Sequence, residues 1–295
     1  MKLNFSPMSV PVVVGLSLLT GSVIAAPITF GTASPFAVLG QAGVTNTGSS
    51  MIFGSVAGST GTPAVTGFTF STSPGPGKVL PPGVGFTMGV ANAGPGTPFG
   101  DATTAYNAAQ AASGAIDFSG SSTLGSGGAH GTLAPGVYFF SSTAALNGML
   151  TLDAGGNNAA MWIFQIGSAL TTASASSVVL TNTGAPGPFS GSVIWAVGSA
   201  ATLGTTTTFL GSIVSQAGSV LNTGATIGCG RVISLQASVT LDTNTIVTPS
   251  GCVVGSVGTA TPEPGASTLL SFGLVAMLIL AFRKRAKDWL TSTQA

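Results

Sequence analysis

The sequence predicts a mainly β chain wound as a parallel β-solenoid, with one long α-helix alongside and coils stacked out of chain order. Three observations carry this. The threonine-rich stretches "LTTASASSV" from Leu170, "TLGTTTTF" from Thr202, "LNTGATI" from Leu221 and "LDTNTI" from Leu241 superpose when Leu203, Leu221 and Leu241 are placed in register. Self-similarity about every 20 residues, with short alternating apolar strands between Gly-rich turns, is the mark of stacked coils. The same pattern appears far upstream in "VTNTGSSMIF" at 44–53, through Thr47 and Ser49. An N-terminal coil is therefore expected beside C-terminal ones. Only "DATTAYNAAQAAS", residues 101–113, reads as a helix of the mature domain, with Asp101 as its N-cap and Ala105, Ala109 and Ala112 on one face. That alanine stripe permits close approach, so the helix should lie flat and cover one sheet.

Composition bounds what such a chain can do. Of its 295 residues 44 are Gly and only 4% are charged, against about 25% in an ordinary soluble domain. A nucleic-acid partner needs clustered Lys and Arg, so this composition excludes one. The 44% hydrophobic residues supply a core, and the recurring Val, Ile, Leu and Phe runs argue against disorder.

Taken in order, residues 1–25 form the first element. Lys2, the apolar run Val12–Leu19 and the small-residue end Val23-Ile24-Ala25 read as a secretory signal peptide. Cleavage after Ala25 is preferred, because cutting after Ala26 would place Pro27 at the new N-terminus. A short N-terminal membrane anchor is the alternative, although the run is shorter than the roughly 20 residues of a span. Residues 26–255 form the β-solenoid domain. Between 27 and 261 its only charged side chains are Lys78, Arg231, Asp101, Asp117, Asp153 and Asp242. Cys229 and Cys252 are an even pair in an exported domain, and a disulfide between them is expected.

Within the domain the register defines two ladders. Ser174, Thr205, Thr223 and Thr243 form one, and Ser176, Thr207, Ala225 and Thr245 a second, placed on the same face by the period-two alternation of strands. Intervening residues such as Thr206 and Gly224 should point the other way. Rungs about 4.8 Å apart, crossed by alternate residues about 6.6 Å apart, give a two-dimensional array of hydroxyls and methyls. Such an array can hold water in fixed positions. Threonine is stiff at χ1, so little rotamer entropy is lost against a solid lattice. The structural alternative is that β-branched residues simply favour strands and pair well across them.

An enzyme would need paired carboxylates, or a calcium site with basic residues. The four acids are scattered, Asp153 and Asp242 sit in turn-like "TLDA" and "TLDT" settings, and His130 is the only histidine. No catalytic residue, cofactor or metal is expected.

The phrases "FAVLG" at 36–40, "TTAYNAA" in the helix, "LAPGVYFFSSTAALNGMLTLDA" at 133–154, "MWIFQIGSALTTASASSVVL" at 161–180 and "VIWAVGSAATLG" at 193–204 resemble the microbial ice-binding-protein family over roughly residues 36–252. The resemblance implies an irregular right-handed β-helix, a long helix beside it, and a flat sheet face that adsorbs to ice. It also implies Thr-(Ala/Gly)-x-(Thr/Asn) ice-site motifs. This sequence matches them at Thr223–Thr226, Thr66–Thr69 and Thr104–Asn107, of which only the first falls on the ladders. Thr47, Ser49, Ser174, Ser176, Thr205, Thr207, Thr223, Ala225, Thr226, Thr243 and Thr245 are thus the expected contacts with ice or ordered water. A structural or adhesive protein of the cell surface or biofilm matrix is the alternative.

The C-terminal region has its own resemblance. A linker at 256–264 ends in Pro262-Glu263-Pro264, an apolar stretch runs to Phe282, and Arg283-Lys284-Arg285 follow within the tail 265–295. This order is similar to the PEP-CTERM sorting signal. It implies export, a transient inner-membrane anchor, cutting by an exosortase, and release or attachment at the surface. A plain single-pass anchor with its basic cluster held inside is the alternative.

Overall fold

Three parallel sheets of eight, nine and eight strands form the domain in a computed structural model that describes residues 28–58, 65–70, 78–80, 96–184 and 191–249. Two compact units divide the chain, Met1–Val253 and Val254–Ala295, and every described residue belongs to the first. The expected signal peptide, Cys252, the Pro-Glu-Pro linker and the tail lie outside the described residues. Among the described residues no helix is long and apolar enough to cross a membrane.

Each of eight coils contributes one strand to each sheet, except that the coil after Met51–Phe53 adds both Thr69–Phe70 and Lys78–Leu80 to the nine-stranded sheet. One coil runs through Met161–Ile166, Leu170–Thr172 and Ser177–Thr181. The next three run through Ser192–Val197, Ala201–Leu203 and Thr208–Leu210, then Ser212–Ser215, Ser219–Leu221 and Thr226–Gly228, then Val232–Ser234, Val239–Asp242 and Thr245–Val247. The last coil pairs with an N-terminal one: Val232–Ser234 with Phe36–Gly40, Val239–Asp242 with Val44–Thr47, and Thr245–Val247 with Met51–Phe53. The coils are therefore stacked out of chain order, as the upstream repeat indicated.

The three sheets have different surroundings. The first, containing Met161–Ile166 and Ser192–Val197, is buried on both sides because helix α1 (Pro98–Gln110) packs on its outer face. Phe99, Ala102, Ala105, Tyr106 and Ala109 meet Val137, Ile163, Ile194, Ala196 and Val214 there. The alanine stripe thus does what its spacing suggests, with Ala112 packed beyond the helix end. The helix start differs from expectation. Thr97 is the N-cap, accepting from the Gly100 amide at 3.2 Å. Pro98 has φ already set for the first turn and no N–H to lose, so the helix begins ahead of Asp101. The Asp101 carboxylate instead accepts from the Thr32 amide and hydroxyl at 2.7 and 2.6 Å. At the other end Gln165 Nε2 donates to the carbonyls of Ala109, Gln110 and Ala112 at 2.9, 3.2 and 2.8 Å.

Inside the coil the first sheet stacks aromatic rings. Tyr138, Phe164 and Trp195 occupy one register position on successive strands, with ring centroids 5.5 and 3.7 Å apart. These rings and the inward leucines of the other two sheets form one continuous core.

Candidate functional site

The second sheet, whose strands include Leu170–Thr172, Ala201–Leu203, Ser219–Leu221 and Val239–Asp242, turns its middle residues to solvent. Leu170 and Thr172 are buried with Thr171 exposed between them, and Val239 and Leu241 are buried around exposed Thr240. Alternation on a half-buried strand requires this, since successive side chains take opposite faces. Backbone pairing then aligns the outward residues. Thr66, Thr45, Thr240, Val220, Thr202, Thr171, Ala145 and Thr123 stand in one unbroken column across eight coils. None is charged. At the strand spacing of about 4.8 Å, β-branched side chains locked in one register make a regular surface of hydroxyls and methyls.

A second column flanks it at the corner leading to the third sheet. Leu203 pairs with Leu221 and Leu221 with Leu241, as the repeat alignment required. Ser174, Thr205 and Thr223 follow in register and are exposed. Thr243 does not join them. Thr226 pairs with Thr245, so the corner of the last coil is one residue shorter than its neighbours. The Gly224 amide donates to the Asp242 carbonyl at 3.1 Å and the Thr243 amide to the Thr47 carbonyl at 3.0 Å. The corner column is therefore Thr47, Asp242, Thr223, Thr205 and Ser174. Thr243 instead continues the row of left-handed corner residues, Ala175, Thr206, Gly224 and Gly48.

The second expected ladder faces inward. Ser176, Thr207 and Ala225 are buried, because the left-handed residue before each inserts an extra step and breaks the period of two. For the same reason Thr206 is exposed, contrary to the simple alternation. The buried hydroxyls are satisfied internally: Thr207 Oγ1 lies 2.8 Å from Thr172 Oγ1, and Ser176 Oγ donates to the Leu146 carbonyl at 3.2 Å. Buried Asn244 takes this inner position in the last coil and buried Ser50 in the N-terminal one, leaving Ser49 exposed on the corner. Thr245 and Thr226 belong to the third sheet, in register with Thr208 and Ser177. The Thr223–Thr226 motif consequently spans a corner, and its two ends lie on different sheets. Thr104 and Asn107 are exposed on α1.

Thr45, Thr66, Thr123, Thr171, Thr202 and Thr240 are the residues that the repeat reading missed. Their signal was present. Thr202, Val220 and Thr240 each immediately precede an aligned leucine, and a residue next to an inward leucine on a strand must point outward.

The remaining polar groups are committed elsewhere. The Thr32 hydroxyl and amide hold the Asp101 carboxyl below the usual carboxylate range, and the Ser119 hydroxyl and amide do the same for Asp117. Asp153 accepts from the Gly155 amide and Asn182 Nδ2 at 2.9 and 3.0 Å. Burial pushes Arg231 down to about 10; its Nη1 donates to the Ala33 carbonyl at 3.0 Å and its guanidinium lies 4.4 Å over the Phe30 ring. His130 stacks on Phe118 with centroids 3.6 Å apart. Among the described residues no group of His, Cys, Asp or Glu could hold a metal ion, and no cysteine is free.

These features define a class of protein: a parallel β-helix that carries a register-locked, uncharged threonine column on one of the two sheets that α1 does not cover. The family model described as Ice-binding-like matches residues 38–247, and the chain belongs to that family. It is 43% identical to an ice-binding protein of Nostoc sp. (strain HG1), the alignment covering 88% of each chain. It is 33% identical to an ice-binding protein of Flavobacterium frigoris (strain PS1), over 75% of this chain and 76% of that one. Among solved structures, the ice-binding protein of the Antarctic ascomycete Antarctomyces psychrotrophicus is similar with a TM-score of 0.62 and 34% identity, covering 78% of this chain and all of that one.

Proposed function

We propose that this protein adsorbs to ice through the outer face of the second sheet and so produces thermal hysteresis or inhibits recrystallisation. The observation that carries the reading is the column from Thr66 to Thr123, in which six of eight residues are threonine and none is charged. Thr47, Thr223, Thr205 and Ser174 extend the contact along its edge. A stiff β-branched side chain loses little rotamer freedom on meeting a lattice, and an uncharged face sheds its water at low cost. The relatives named as ice-binding proteins support the same assignment. The protein is not an enzyme, in keeping with its family.

Export belongs to this proposal. Residues 1–25 direct secretion, and the Pro262-Glu263-Pro264 motif with its apolar and basic tail is read by an exosortase after transient anchoring in the inner membrane. The coil winds right-handed, as crossover connections between parallel strands overwhelmingly do, and Cys229 pairs with Cys252. The test is whether purified protein shapes a single ice crystal and depresses its growth temperature. A protein that leaves growing crystals as round discs would sink the assignment.

A further inference from the structure

We propose that Asp242 is a positioning residue of the ice-contact face, holding the hydroxyl of Thr223 in that face and of Thr243 beside it so that their methyl groups keep one orientation. The inference rests on the ice-binding reading above. Asp242 is the one charged side chain in the two columns, placed between Thr47 and Thr223, and an isolated carboxylate there would hold water tightly and interrupt the array.

Its contacts show a different use. The Thr223 hydroxyl donates to Asp242 Oδ2, and the Thr243 hydroxyl donates to Oδ1 at 3.0 Å. One oxygen thus serves a threonine of the preceding coil and the other serves its own neighbour. Both donors are exposed, and branching narrows χ1 without fixing it to one well, so an acceptor is what selects a single rotamer.

The backbone of Asp242 is itself held from below. Buried Asn244 accepts from the Asp242 amide through Oδ1 at 2.6 Å. Its Nδ2 donates to the carbonyls of Asn222 and Ala225 at 2.9 and 3.0 Å. The shortened corner completes the arrangement. With one residue fewer than the neighbouring coils, it brings Asp242 rather than a threonine beside Thr223 and turns Thr243 into the left-handed region at φ 54°. A β-branched residue is a poor choice for that conformation. Its hydroxyl, pinned by the carboxylate, supplies a reason for finding threonine there. Opposite it, Gly48 leaves the room this hydroxyl occupies, since a side chain there would collide with it.

The experiment compares the wild-type protein with Asp242→Ala and Asp242→Asn by three measurements: χ1 populations of Thr223 and Thr243 from NMR couplings, thermal hysteresis, and melting temperature. In Asp242→Ala the dominant χ1 well of each threonine should lose population to a second well, since branching restricts χ1 without fixing it to one rotamer, with hysteresis reduced and melting temperature nearly unchanged. Asn offers an oxygen that accepts from one threonine hydroxyl and an NH2 that donates to the oxygen of the other. Asp242→Asn should therefore keep both threonines near their dominant well and recover most of the hysteresis. If Asp242→Ala does not fold, Asp242→Ser decides, because its short hydroxyl cannot bridge both threonines and at least one should lose its dominant well. Hysteresis in Asp242→Ala equal to or above wild type overturns the proposal, as does a parallel fall of hysteresis and melting temperature with unchanged χ1 populations. If Thr202→Tyr keeps full hysteresis, the face itself is misassigned; loss there with no effect at Asp242 removes only the positioning role.

Discussion

Replacing Thr202 with Tyr places a ring near the middle of the outward column, between Thr171 and Val220. The ring extends about 4 Å beyond the threonine methyl, whereas a gap of only 0.5–1 Å already forfeits a quarter to a half of a dispersion contact. The flat face is lifted away over the neighbouring rungs, and most hysteresis should disappear. Folding should barely notice. Tyr is a good strand residue, and a surface change of about 0.5 kcal/mol or less corresponds to a shift of about 1–2 °C in a domain of this size. Thr207→Val is the matched control, five residues along the same coil but buried. It removes the partner of Thr172 Oγ1 and the hydrogen bond to the Ala173 carbonyl. An unmet buried hydroxyl costs about 1–3 kcal/mol, or about 2–12 °C, while hysteresis per folded molecule should be kept. The paired assay is nanolitre osmometry with thermal unfolding. Full hysteresis in Thr202→Tyr, or lost hysteresis with an unchanged melting temperature in Thr207→Val, would show that the inner and outer faces have been exchanged.

Other expectations concern the scaffold. Gln165→Leu leaves the terminal carbonyls of α1 without their donor in a buried site and should cost about 1–3 kcal/mol, read as a lower melting temperature with ice shaping intact; an unchanged melting temperature refutes that role. Asp101 titrates below the usual carboxylate range because of Thr32, so its contribution is present above about pH 4 and fades as pH falls through its lowered value. Asp101→Asn should flatten the acid side of the melting-temperature profile, and two parallel profiles from pH 2 to 6 would contradict this. Cys229 and Cys252 should appear as one disulfide in the mass spectrum of exported protein, and alkylation of both thiols without reduction would exclude it.

The architecture was legible from residue patterns because its causes are local. Leucines recurring beside Gly-rich turns set the coil, the upstream "VTNTG" stretch announced a coil stacked out of order, and a Pro-free run with three spaced alanines announced the covering helix. What failed was the period of two carried past the corner residues Ser174, Thr205 and Thr223, which themselves stand in register and exposed. Period two holds along a strand, but one left-handed residue at Ala175, Thr206 or Gly224 turns the next side chain inward, so Thr205 is exposed and Thr207 buried. A single missing residue in the last coil then exchanged Thr243 for Asp242 in the outer column. Residue types and spacing by themselves determined that this chain stacks uncharged, threonine-bearing coils. Which threonines face the solvent was decided only by the tertiary structure, because one left-handed residue at a corner exchanges the inward and outward positions next to it, and because the helix covers one sheet and not the other two.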